Sequence, residues 1–134
     1  MVSMWADQTA VLGSPAVGGF FTHGGWNSAL EGITNGVPMV VWPLYAEQRM
    51  NATMLAEEVR VAVRPKELPT KAVIGREEIA AMVRKIMAEE DEEGKAIRAK
   101  AKELQRSAEK STAEGGSSFE NFARVVKSWR EARV

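Results

Sequence analysis

Two short apolar runs bounded by Gly or Pro, "AVGGFFTH" at 16–23 and "PMVVWP" at 38–43, most constrain what this chain can fold into. Uninterrupted apolar runs of this length suit strands buried on both faces, which is the habit of parallel sheets. Two parallel strands need a crossover between them, usually helical. "NSALEGITNG" at 27–36 supplies one, with Asn27 or Ser28 as the expected N-cap and Asn35-Gly36 as the stop signal. A second crossover helix is expected over 47–59, where Met50, Met54, Leu55 and Val59 fall at helical spacing. A third strand then follows in the alternating "VRVAVRP" at 59–65.

Glycine and proline concentrate before residue 76, and charged helical patterns dominate after it. In "REEIAAMVRKIMAEE", residues Ile79, Met82, Val83, Ile86 and Met87 follow the amphipathic period. The acidic run at 89–93 reads as a connector to a helix over 92–114, whose thin stripe of Ile97, Ala101, Leu104 and Ala108 marks it as a solvated outer element. After Gly115-Gly116, Ser117 or Ser118 is expected to cap a last helix with Phe119, Phe122, Val126 and Trp129 on one face. The fold class is therefore α/β, parallel strands with crossover helices followed by a helical tail.

Eighteen basic and eighteen acidic residues give no net charge, so neither nucleic acid nor an anionic membrane meets an overall attracting field. No run approaches the ~20 apolar residues of a membrane span. The opening "MVSMWADQ" lacks the basic and apolar regions of a signal peptide, so a cytoplasmic location is expected. With no cysteine and a single histidine, neither a disulfide framework nor a metal site is expected.

That histidine, His23, sits in "THGGWNS", between the first expected strand and its helix. Ligands of open α/β sheets bind at the carboxyl ends of the strands. The first turn of the following helix offers free N–H groups and the positive end of the macrodipole, which favour an anion such as phosphate. Glycines let that anion approach the backbone. On spacing alone an ordinary strand-to-helix connection accounts for the turn as well. Trp5 and Trp26 are likewise readable as core aromatics, as Trp42 and Trp129 are. Glu47-Gln48 can be plain first-turn residues, and Met50, Met54, Met82 and Met87 read as packing.

Residues 5–48 resemble the donor-binding box of the plant family 1 UDP-dependent glycosyltransferases, through "WADQ", "SPAVGGF", "THGGWNS", Glu31, "GVPMVVWP" and "EQ". "LAEEVRVAVRP", "IGREEIAAMVRKIM" and "GGSSFENFARVV" also resemble that family's C-terminal tail, nearest to enzymes that glucosylate phenols and hydroquinones. The resemblance implies a Rossmann-like C-terminal half of a GT-B glycosyltransferase. Residues 1–75 would be the UDP-sugar segment and 76–134 the C-terminal helices of the same domain, with the N-terminal acceptor domain absent. It also implies roles. Trp5 would stack on uracil, and the backbone of Ala6 would read the uracil edge. Gln8 and Glu31 would hold the ribose. His23, Asn27 and Ser28, on the turn made by Gly25, would hold the diphosphate, and Trp26, Glu47 and Gln48 would face the sugar.

The implied reaction is inverting transfer from a UDP-sugar, with UDP-glucose the expected donor and a small hydrophobic or phenolic acceptor, without metal or cofactor. The acceptor-activating His and Asp belong to the missing domain, so no catalytic residue is assigned here. The chain alone is expected to bind donor without turnover; a noncatalytic nucleotide-sugar or scaffold module is the alternative. An uncovered sheet edge and the final aromatic helix make self-association or a partner chain the expectation. Three positions depart from the family pattern. Asp7 replaces a usual Pro and brings a negative charge to the nucleotide loop; Ser14 replaces a common His; Gly24 replaces a common Cys and is expected to loosen the turn.

Overall fold

The computed structural model describes residues 5–67 and 73–132; residues 1–4 and 68–72 of the first expected segment and 133–134 of the second lie outside them. In chain order the elements are α1 (Gln8–Leu12), β1 (Phe20–Thr22), α2 (Trp26–Thr34), β2 (Met39–Val41), α3 (Gln48–Thr53), β3 (Ala62–Val63), α4 (Arg76–Met87), α5 (Glu92–Thr112) and α6 (Ser117–Glu131). A π-helical turn, Met54–Glu58, continues α3. No helix among the described residues is long and apolar enough to cross a membrane.

The three strands form a parallel sheet in the order β1-β2-β3, with Phe20 opposite Met39 and Met39 opposite Ala62. Each is shorter than its apolar run, because Gly18 and Gly19 enter β1 as irregular backbone and the Pro-bounded ends of the second run fall outside the ladder. β2 is buried along its whole length. Its side chains alternate: Met39 and Val41 join Ala29, Ala52, Leu55 and Ala101 on one face, and Val40 joins Met82, Ile86 and Ile97 on the other. The sheet therefore lies between two helical layers, and α5 contributes to both.

α5 is solvated only on its outer face. Gly94, Ile97 and Ala101 are buried, and Asp91 caps its start by accepting from Gly94 N–H at 2.7 Å. Lys85 pairs with Glu93 between α4 and α5, and the neighbouring carboxylate raises the Lys85 pKa. Arg98 donates to the carbonyl of Ile86 at 2.9 Å, satisfying an end carbonyl of α4.

Two packing expectations are corrected and a third holds in part. Met50 is exposed, and Met87 is half-exposed with its thioether end against Gly18 and Gly19. Around α3 the buried face is instead Gln48, Asn51, Ala52 and Leu55, an i, i+3, i+4, i+7 set that shares only Leu55 with the expected one and carries two amides. Trp129 is not a core aromatic but lies 66% exposed on α6, a helix with no buried residue. Trp42 does pack inward, with its ring 5.7 Å from that of Phe21.

Candidate functional site

The site forms at the carboxyl ends of β1 and β2. β1 ends at Thr22, and the chain turns at once through Gly24, whose φ of +78° is left-handed. α2 then starts at Trp26, with Gly25 as N-cap at φ −60° and ψ 148°. The expected side-chain cap by Asn27 or Ser28 is thereby corrected. The sharp turn at Gly24 brings the helix forward, so both residues fall inside its first turn and neither caps it.

The consequence is electrostatic. The first bond across the helix start is Ala29 N–H to the Gly25 carbonyl at 3.0 Å. Ahead of it, the N–H groups of Gly25, Trp26, Asn27 and Ser28 donate to no other described residue. Four successive donors at a helix N-terminus make an anion cradle. His23 stands beside it, its imidazole directly over Gly25.

Hydrogen bonds hold the turn at Gly24 on both sides. Gly24 N–H donates to Thr22 Oγ1 at 3.3 Å, and Asn51 Nδ2 donates to the Gly24 carbonyl at 2.9 Å. A Cβ at residue 24 would stand 2.4 Å from Val41 Cγ1, so Gly is the residue that this wall admits. Asn51 and Thr22 were not singled out by sequence reasoning. The signal was there in part: Asn51 shares the helical period of Gln48 and Leu55, but an amide is not counted when a core face is sought.

α1 was also unforeseen. Asp7 starts it by accepting from Ala10 N–H at 3.0 Å, so the carboxylate that replaces a usual Pro serves as a cap. The buried Leu12 anchors α1 beside α2. Gln8 Nε2 consequently reaches Ser28 Oγ at 3.3 Å and, more closely, Glu31 Oε2. Ser28 and Glu31 share one face of α2 through their i, i+3 spacing. Three of the expected residues are thus in one polar cluster. Trp5 and Ala6 lie exposed just ahead of α1, and Trp26 and Asn27 are exposed on the first turn of α2.

Glu47 and Gln48 end a turn that includes Ala46 at φ +53°, a left-handed conformation uncommon for alanine. Glu47 is exposed. Gln48 is 97% buried by its 3% exposure, and its Oε1 accepts from the N–H groups of Leu44 and Tyr45 at 2.9 and 3.0 Å. One end of the amide therefore builds the loop. The backbone carbonyl of Gln48 lies close to Gly24, so this loop and the His23 turn are neighbours.

The family described as "UDP-glucoronosyl and UDP-glucosyl transferase" matches residues 1–96. UDP-glycosyltransferase 72D1 of Arabidopsis thaliana is 58% identical over 95% of this chain and 27% of its own length. Hydroquinone glucosyltransferase of Rauvolfia serpentina is 47% identical over 96% of this chain and 27% of its own. The chain thus spans about a quarter of the length of the curated relatives it matches. Among solved structures, UGT2 of Phytolacca americana, complexed with UDP-2fluoro-glucose and pterostilbene, superposes with a TM-score of 0.87 at 47% identity, over 96% of this chain and 29% of that one. TcCGT1 in complex with UDP gives 0.88 at 52% identity, over 95% and 26%. With the parallel sheet and the helical tail in agreement, the chain belongs to this family of UDP-sugar transferases and has the Rossmann-like α/β fold of GT-B glycosyltransferases.

Proposed function

We propose that this chain is the donor-binding part of an inverting, metal-independent glycosyltransferase that takes a UDP-sugar, with UDP-glucose the favoured donor. The observation that carries the reading is the row of four backbone donors at residues 25–28 beside His23. The diphosphate sits there, with the side chains of His23, Asn27 and Ser28 adding donors. Gln8 and Glu31 meet the ribose diol, a carboxylate accepting from hydroxyls as in dinucleotide folds. Trp5 gives uracil a stacking platform, worth roughly 1–3 kcal/mol per base, and the Ala6 backbone reads its edge. Trp26, Glu47 and the Nε2 end of Gln48 face the sugar.

In the complete enzyme an acceptor oxygen forms the new bond to the anomeric carbon from the face opposite the diphosphate, as the bond from that carbon to UDP breaks. The negative charge gained by the departing diphosphate is met by the N–H row and His23, where preorganised donors act most strongly on the transition state. The acceptor proton needs a base that this chain does not supply, since its single histidine is at the diphosphate. The chain by itself therefore binds donor without turnover. The name of the Rauvolfia relative and the pterostilbene in the Phytolacca complex favour small phenolic acceptors for the complete protein.

Calorimetry with UDP, UDP-glucose and uridine tests the reading. Both diphosphates are expected to bind more tightly than uridine. Equal affinities for UDP and uridine, or no binding of either diphosphate, overturn it. Radiolabelled UDP-glucose with a phenol is expected to give no product with this chain alone.

A further inference from the structure

We infer that Asn51, a residue outside the cradle, is a positioning residue for it: from the core side of the turn, its amide fixes the direction in which Gly25 N–H points. The inference rests on the donor reading above and extends it to a residue that touches no ligand. Asn51 is only 3% exposed, so its Nδ2 bond of 2.9 Å to the Gly24 carbonyl is made inside the fold. In a planar trans peptide the C=O and the following N–H point in opposite directions. Drawing the Gly24 carbonyl inward to Asn51 therefore turns Gly25 N–H outward, into line with the donors of Trp26, Asn27 and Ser28.

The preceding peptide is held as well, because Gly24 N–H donates to Thr22 Oγ1, on a residue 6% exposed. Gly24 is thus fixed through both of its peptides in a φ region that glycine enters and leaves freely. Without Asn51, the Gly24 carbonyl would be a buried acceptor with no partner, and rotating this peptide toward water is the simplest relief. That rotation carries Gly25 N–H inward and presents a carbonyl oxygen to the diphosphate. An attractive dipole becomes a repulsive one at the place where phosphate charge is highest. Uracil and ribose, held elsewhere, do not feel it.

The test is the ratio of UDP to uridine affinity, measured by calorimetry for UDP and NMR titration for uridine. The wild-type chain is compared with Asn51→Leu, close in size but without a donor, and with Thr22→Val. Asn51→Leu is expected to weaken UDP about tenfold and uridine less than twofold. Thr22→Val is expected to shift the ratio the same way by a smaller factor. If Asn51→Leu does not fold, Thr22→Val decides by the same ratio. A wild-type ratio in the folded variants, or proportionate loss of both ligands, overturns the positioning role while leaving the donor reading in place. A wild-type chain that does not prefer UDP to uridine overturns both.

Discussion

Gly25 lies directly beneath the imidazole of His23, so close that a Cβ at residue 25 would stand 2.6 Å from Nε2. The backbone angles at Gly25 suit any residue, and His23 is exposed and able to swing aside. Gly25→Ala should therefore leave the melting temperature within about 2 °C of wild type, since the change strains no buried group. It should nevertheless weaken UDP by about tenfold, close to the worth of one hydrogen bond to a charged group. Unchanged UDP affinity in calorimetry would show that the imidazole is not needed where it lies.

Gly24 and Val41 form a second close relationship, with opposite consequences. Gly24→Cys meets both a left-handed φ and Val41 Cγ1 at 2.4 Å, and should cost about 2–4 kcal/mol in denaturant unfolding. Val41→Ala removes the obstructing methyl. The double variant should be less destabilised than the sum of the singles by about 1 kcal/mol or more. Strict additivity would place the cost in the backbone alone.

Gln48 Oε1 serves the loop, its Nε2 end is proposed to face the sugar, and two substitutions separate the parts. Gln48→Glu keeps an oxygen for the N–H groups of Leu44 and Tyr45 but replaces the Nε2 donor. Folding should survive, and the preference for UDP-glucose over UDP should fall. Gln48→Ala leaves both N–H groups unpartnered and should cost about 1–2 kcal/mol of stability. Retention of the sugar preference by Gln48→Glu would remove Gln48 from the sugar site.

The parallel strands and the inward face of α4 were legible because apolar runs and helical periods report burial directly, as in Met39–Val41 and in Ile79, Met82 and Ile86; both crossover helices were placed, but not the inward face of α3. What was not legible depends on polar groups paired inside the fold. Asn51 and Gln48 occupy the inward face of α3 because loop carbonyl and N–H groups await them, whereas Met50, apolar but unneeded there, turns outward. Periodicity counts side-chain type and knows nothing of a partner 27 residues away. The start of α2 was missed for a related reason: a cap without a side-chain bond has no sequence mark, and it is this absence that leaves the cradle's donors free. Gln8, Ser28 and Glu31, drawn from the resemblance, do meet, but only through α1, which no pattern announced.

Phe119, Phe122 and Trp129 stand exposed on α6, and β1 has no second strand beside it among the described residues. Apolar faces and open edges of this kind favour association. In sedimentation velocity the isolated chain should run larger than a monomer at tens of micromolar, on the order of what weak contacts of this size support. Phe122→Asp with Trp129→Asp should shift it toward monomer. A monomer at all concentrations in the unsubstituted chain would show that these surfaces do not self-associate.

His23 offers the sharpest division between binding and rate. In a protein that also carries the acceptor-binding part, the proposed role has His23→Ala removing a donor from the point where charge grows on the departing diphosphate. Loss of one such preorganised donor typically costs about 2.7–4 kcal/mol of transition-state stabilisation, roughly a hundredfold to a thousandfold in kcat. The ground state should suffer less, because the N–H row at 25–28 remains available to the phosphates, so UDP should weaken by about tenfold or less. His23→Gln, which retains a donor but carries no charge, should fall between wild type and Ala. Since His23 is exposed rather than packed, neither variant should melt appreciably lower. A kcat for His23→Ala equal to wild type, normalised to folded protein, would exclude His23 from leaving-group stabilisation even if UDP binding were impaired.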